Sequence, residues 1–377
     1  MAKLPEMSKI KKNDKNVCLA FAALDKYLED NIIDNIQKEV KGKDIVEYGQ
    51  KNIYPNYLYN LYEKVSVLRS IINGIPDYVA GENVTINIPQ FQEKINKNQT
   101  IEDLVRDIAL SYVLYGGVAL NVVRNRLGGI AALYVLDFKH VRSDKKNTKF
   151  YYSKEWGDKQ IGRVDTIVYP AFDPEGKDIN SIFYVKNDNF DTYPNPLWAG
   201  AVISAEILKH VDEFNLNSLY NGLSGGYIVN FNNGQPTDEQ KEEISDDFDS
   251  KYVGFDNASR TLLSFNPDYD HRTTIEALPE DKSIDRYNTI YQTSIKNIFT
   301  AFRCHPVIFG LPTDNSGFND QDFAEAFKIC NKTVVLPLQK KIKRIFETIF
   351  GQKDVVTIEP MKIDWTEDET ENTDFVK

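Results

Sequence analysis

Two apolar periods alternate along this chain, one of about 3.6 residues and one of two, and the switches between them set out its elements. From Asp44 to Gly81 an aromatic lead-in (EYGQKNIYPNYLYNLYEK) runs into a helical stripe of Leu58, Leu61, Tyr62, Val65, Leu68, Ile71 and Ile72, which Gly74 and Pro76 are expected to punctuate. Thr100 reads as an N-cap, with Asp103 three residues on, for a helix whose apolar face is Ile101, Leu104, Val105, Ile108, Ala109 and Tyr112; Gly116-Gly117 stops it. VALNVVR (118–124) and IAALYVL (130–136) read as strands of a hairpin, and 166–169 and 181–185 as further strands.

The second half is dominated by long helices. One begins near Pro196 and ends at Asn221-Gly222; Ala201, Ala205 and Leu208 lie on one side of it, and Ile203, Ile207, Val211 and Phe214 on another, so contact from two directions is expected. A strand (227–231), a turn at Asn233-Gly234 and a start signal at Pro236-Thr237-Asp238 lead into an acidic helix that carries Glu242, Glu243, Asp246 and Asp247. A second long helix spans 283–303 and stops before His305-Pro306, because the residue before proline avoids helical geometry. The loop 309–319 then leads to a third helix, 320–350, roughly 45 Å long at 1.5 Å per residue. Pro337 removes a backbone donor inside it and should kink it. After Gly351 the chain runs into DWTEDETENTDFVK, expected to be frayed or disordered.

At 377 residues, the chain is long enough for two or three packed regions, and its mixture of helical and strand patterns places it in the α+β class. No stretch approaches the roughly 18 apolar residues of a membrane span. Cys18, Cys304 and Cys330 show no paired spacing, so no disulfide framework is expected and a reducing, cytoplasmic compartment fits. The net charge of -11 argues against a broad basic surface that grips nucleic acid, though not against a wall that DNA slides past.

Candidate chemistry is sparse. Phosphate-binding and dinucleotide fingerprints are absent, and no Cys-x-x-Cys accompanies the four histidines, so neither a cofactor nor a metal is expected. Cys304-His305 could suggest a nucleophile and base, but sequence neighbours rarely face one another. Asp320 and Asp322 could suggest a metal, but acids at a helix start are favoured by capping and the dipole. Lys340, Lys341, Lys343 and Arg344 form a basic cluster at helical spacing that could touch nucleic acid, but near a helix C-terminus such a cluster is more often a dipole complement and a solvated face.

Taken in order, YPNPLWAGAVISAEILKHVDEFNLNSLYNG (193–222), YIVNFNNGQPTDEQKEEISDDFDSKYVGFDNASRTLLSF (227–265), IKNIFTAFRCHPVIFGLP (295–312) and Leu336-Pro337-Leu338 resemble the portal proteins of tailed bacteriophages, of the short siphovirus type. The resemblance extends over about residues 44–350. It implies a fold with an α/β wing in 1–195, a stem of helices 196–222 and 281–305, and a small α/β clip at 223–280. A tunnel loop at 306–319 and a long kinked helix at 320–350 follow, with a reduced crown or acidic tail at 351–377.

The resemblance further implies a non-enzymatic ring of about twelve subunits at one capsid vertex, assembled in the host cytoplasm and retained in the virion. Double-stranded DNA would pass through it, and the terminase large subunit, the major capsid and scaffold proteins and head-tail adaptors would dock on it. Ile203, Ile207 and Val211 would then face neighbouring subunits. Glu242, Glu243, Asp246 and Asp247 would face terminase or adaptors, and Asp314, Asn315, Ser316, Gly317 and Phe318 would face DNA. Two rival readings remain: a minor capsid or adaptor protein, and a nucleic-acid-processing enzyme built on Asp320, Asp322 and His305.

Overall fold

The computed structural model describes residues 33–156, 166–187, 191–220, 228–231, 237, 240, 262–265, 269, 283–311 and 320–362. These fall into two compact units, one of residues 1–203 and 299–377, the other of 204–298.

Among the described residues, five α-helices and two three-stranded sheets organise the first unit. After the short strands β1 (Lys38–Glu39) and β2 (Val46–Glu47) come α1 (Tyr54–Lys64) and α2 (Ser66–Ala80). The expected single helix is thus divided, at Val65, whose backbone is extended. It also runs through the expected stops: Pro76 sits inside α2, and Gly74 supplies space, since a Cβ there would stand 2.7 Å from the Phe309 ring. The stripe from Leu58 to Ile72 is buried along both helices.

Strand β3 (Asn83–Ile86) precedes α3 (Ile101–Tyr115). The reciprocal Thr100–Asp103 capping box starts α3, and Gly116 ends it in the left-handed conformation. Two backbone donors at the helix start are satisfied in this way. The hairpin follows as β4 (Gly117–Arg124) and β5 (Ile130–Leu136). Further strands are β6 (Val141–Ser143), β7 (Lys149–Tyr152), β8 (Ile167–Pro170) and β9 (Asn180–Lys186). The sheets have orders β5-β4-β9 and β6-β7-β8, antiparallel throughout.

Helix α4 (Val202–Tyr220) follows a 3-10 turn at Ala199–Ala201, and α5 is Ser283–Phe302. Between them in sequence, β10 (Ile228–Phe231) and β11 (Leu262–Phe265) pair in parallel. The helix start read at 236–238 is visible in a second capping exchange: the Thr237 N–H donates to Gln240 Oε1 at 3.1 Å, and the Gln240 N–H to Thr237 Oγ1 at 3.4 Å.

The last long helix is interrupted. Helix α6 (Asp320–Cys330) passes through a π turn, Asn331–Val335, into α7 (Leu336–Phe350), with Pro337 the second residue of α7. A proline supplies no N–H to the turn before it, and the looser i→i+5 turn stands at that point. The α7 stripe of Leu338, Ile342, Ile345, Phe346 and Ile349 is buried, and Gln339 Nε2 donates to the Val79 carbonyl at 2.9 Å, fastening α7 to α2.

One expectation fails here. Residues after Gly351 do not all fray: β12 (Val356–Glu359) pairs antiparallel with β3. Val356 and Ile358 alternate inward, and the next sheet partner lies far back in the sequence. Residues 363–377, with most of the acidic run, lie outside the described residues.

Candidate functional site

The chain leading into α4 is held firmly. The Tyr193 ring stacks on Tyr48 at 4.3 Å; its hydroxyl donates to the Val46 carbonyl at 2.5 Å and accepts from the Ser143 N–H at 2.8 Å. The Tyr48 hydroxyl in turn donates to the Pro194 carbonyl at 2.7 Å. Fully buried Trp198 donates from Nε1 to the Leu114 carbonyl at 3.2 Å and lies parallel to Phe302. Burial pushes up the phenols of Tyr48 and Tyr193, so both are neutral hydrogen-bonding groups at neutral pH.

Ala201 just before α4 and Ala205 and Leu208 on it are buried, whereas Ile203 is 62% exposed and Phe214 and Leu216 are about half exposed. Ile207 and Val211 are half-buried. Buried Glu206 is paired with Lys209 at 3.2 Å and His210 at 3.1 Å, and His210 also meets Glu213 at 3.0 Å. The helix therefore presents large apolar side chains to solvent on a surface that charged residues could have covered at no cost to its own core.

The segment between α5 and the following loop is anchored to α2. His305 caps the 3-10 turn Pro306–Phe309, with Nδ1 accepting from the Val307 N–H at 3.4 Å. The Tyr78 hydroxyl donates to the Ile308 carbonyl at 2.7 Å, and its ring meets Phe309 and Phe327 edge-on. Cys304 faces Cys330, so the Cys304-His305 pair does not form a nucleophile and base. Among the described residues, no group of three or more His, Cys, Asp or Glu could hold a metal ion.

Of the residues singled out from sequence, Ile203, Ile207 and Val211 share one helix, and Pro337 stands at the π-to-α transition, exposed, beside a cavity of about 230 Å³ lined by Tyr112, Leu197, Phe302, Arg303 and Lys341. Lys341, read as part of a solvated basic cluster, instead donates to the Tyr112 hydroxyl at 2.5 Å and lies over its ring. Glu242, Glu243, Asp246 and Asp247, and Asp314, Asn315, Ser316, Gly317 and Phe318, lie outside the described residues. Sequence reading missed the Tyr48–Tyr193 stack; the tyrosine-rich lead-in was its visible trace, without the partner.

The family model described as "Phage portal protein" matches residues 89–374. The chain belongs to that family. A curated relative, the probable portal protein of Haemophilus phage HP1, is 25% identical over 244 residues, which is 63% of this chain and 66% of the relative's length. Two solved structures share the portal-family chain's fold. A chain from the neck of a native gene transfer agent particle, computed with C12 symmetry, has a TM-score of 0.51 at 19% identity, covering 79% of this chain and 81% of that one. A chain from the neck of the empty particle, computed with C6 symmetry, has a TM-score of 0.53 at 16% identity, covering 81% and 84%. In this portal-family member the α+β class expected from the sequence holds, and no helix among the described residues is long and apolar enough to cross a membrane.

Proposed function

We infer that this chain is the subunit of a portal ring of about twelve copies at a capsid vertex, a conduit for double-stranded DNA during packaging and ejection that carries out no reaction itself. The family match over 89–374 carries the reading. The C12 symmetry of the gene transfer agent neck supports the copy number. Helices α4 and α5 would form the stem, with Ile203, Ile207 and Val211 against the neighbouring subunit; the exposure of Ile203, Phe214 and Leu216 supports this, because ring closure would remove them from water.

Twelve chains at -11 each give an assembly with on the order of a hundred negative charges, a wall that repels phosphate and lets DNA slide. Movement then needs an outside motor. The terminase large subunit would dock on the clip at Glu242, Glu243, Asp246 and Asp247, and head-tail adaptors would replace it there. Capsid and scaffold proteins would surround the wing, and Asp314–Phe318 would narrow the channel sterically, since Asp314 is the only charge in 309–319.

Electron microscopy of the purified full chain tests the reading. Closed rings with a channel about as wide as duplex DNA are expected; a protein that stays monomeric, or forms solid or open assemblies, overturns it.

A further inference from the structure

Folding brings together two cysteines that the sequence keeps apart. The Sγ atoms of Cys304 and Cys330 stand 2.9 Å from one another, in direct contact. Cys304 follows the end of α5 and Cys330 closes α6, and both are buried, at 7% and 1% exposure. A bonded pair stands about 2.05 Å apart, so an approach of roughly one ångström separates contact from bond.

The pair is chemically asymmetric. The contact between the two sulfurs, in which either thiol can donate, together with burial pushes the Cys304 thiol up, and the same contact holds Cys330 below the ordinary thiol range. Cys330 is accordingly the sulfur that supports a thiolate, the nucleophilic form.

We propose that Cys304 and Cys330 are a covalent modification site, closing as an intrachain disulfide under a small peroxide oxidant. The Cys330 thiolate attacks one oxygen of hydrogen peroxide, the O–O bond breaks, and the departing hydroxide takes up the proton that Cys330 released, leaving a sulfenic acid and one water. The Cys304 sulfur then attacks the sulfenic sulfur, the S–O bond breaks, and the hydroxyl leaves as a second water with the Cys304 proton. Two thiols lose two hydrogens and two electrons, and one peroxide becomes two waters. Burial selects a small oxidant over bulky disulfides such as glutathione disulfide.

The bond would tie the end of α5 to the end of α6, a link already shaped by Tyr78, which holds the Ile308 carbonyl from one branch and the Phe327 ring from the other. This inference rests on the thiol geometry and not on the portal reading.

The test uses the full chain with Cys18→Ser, which leaves only this pair. Folded protein is treated with hydrogen peroxide, then denatured and alkylated, with an untreated sample beside it. The expected result is a chain two hydrogens lighter, neither cysteine alkylated, a proteolytic peptide joining Cys304 to Cys330 that reductant splits, and a raised melting temperature reversed by the same reductant. Wild-type protein should give the same linked peptide. Full alkylation of both cysteines after treatment, or their conversion to separate sulfinic acids, would overturn the proposal. Cys304→Ser should trap Cys330 as the dimedone-reactive sulfenic acid; absence of that adduct from the peroxide-treated C304S protein would remove the assigned order of attack.

Discussion

Arg142 Nε donates to Asn52 Oδ1 across 2.6 Å, and the same guanidinium donates through Nη2 to the Asn52 carbonyl at 2.7 Å. Two further bonds from Nη1 reach the carbonyls of Lys139 and Val141, and the cation lies over the rings of Tyr48 and Trp156. A fully buried positive charge is thus held by carbonyl dipoles and ring faces, fixing the turn before α1 against β6. Replacing Arg142 with Met takes its donors away from the Asn52, Lys139 and Val141 carbonyls, leaving Asn52 Oδ1 with the Tyr48 N–H alone, and should lower unfolding stability by about 3 kcal/mol. Urea denaturation measures the loss, and an unchanged midpoint would refute this role.

Alkaline pH should weaken the first unit. Burial holds the phenols of Tyr48, Tyr54, Tyr115, Tyr184 and Tyr193 above their ordinary value, so their contribution is fully present below pH of about 10 and is lost as pH rises toward the folded values. Arg142 acts in the opposite sense, since burial lowers its guanidinium to about 10 and its penalty is relieved above that pH. Five phenols outweigh one guanidinium. Tyrosinate absorbance from the buried rings should therefore appear together with loss of circular dichroism, and full ionisation in a still-folded chain would contradict the balance.

Gly81 carries φ +69, and a Cβ on it would run into the Glu359 carbonyl oxygen, which accepts from the Glu82 N–H at 3.1 Å. Gly81→Ala should cost about 2 kcal/mol or more, through the strained backbone and the displaced strand β12. Hydrogen exchange should show faster loss at β3 and β12 than elsewhere; uniform protection would show that the strand pair tolerates the methyl.

Thr100→Ala removes the capping exchange that starts α3 and should cost about 1 kcal/mol. Hydrogen bonds from the Thr100 backbone and side chain hold the Asp103 carboxyl below its ordinary range; the backbone bond survives in the variant, so only the side-chain part of the wild-type advantage is present above pH of about 4 and lost as pH falls through the lowered value. A variant as stable as wild type at pH 7 would show that the cap adds nothing.

Ile203 offers the cleanest test of ring contact, because its exposure means that Ile203→Asp disturbs little within one chain. Light scattering should report loss of rings, with the thermal stability of the isolated chain unchanged. Ile207→Asp and Val211→Asp should also block rings but, being half-buried, should lower stability as well. Rings of native mass from all three would remove this face from the interface.

What the sequence disclosed was mostly local. The Thr100–Asp103 box lies within one turn, and the hairpin 117–136 within one loop, so both are legible from spacing. Val65 was not legible as a break, since a valine carries no turn signal, whereas Gly74 and Pro76 carried signals that the packing of α2 overrode. Strand β12 and the Cys304–Cys330 contact depend on partners far away in the chain, which no local period encodes. The exposed apolar side of α4 was visible as a second apolar side on 196–220, while its role as a stem face, like the clip and loop roles, is a proposal.

The first unit is interrupted in sequence by residues 204–298, and its core closes only when α7 and β12 reach α2 and β3. On a ribosome, synthesising the stretch from Ile203 to Glu359 takes on the order of ten to thirty seconds at about 5–20 residues per second. Throughout that interval the emerging nascent chain holds the faces of α2 and β3 without their final cover. Completion of this core therefore waits until α7 and β12 have emerged, however early the N-terminal helices form.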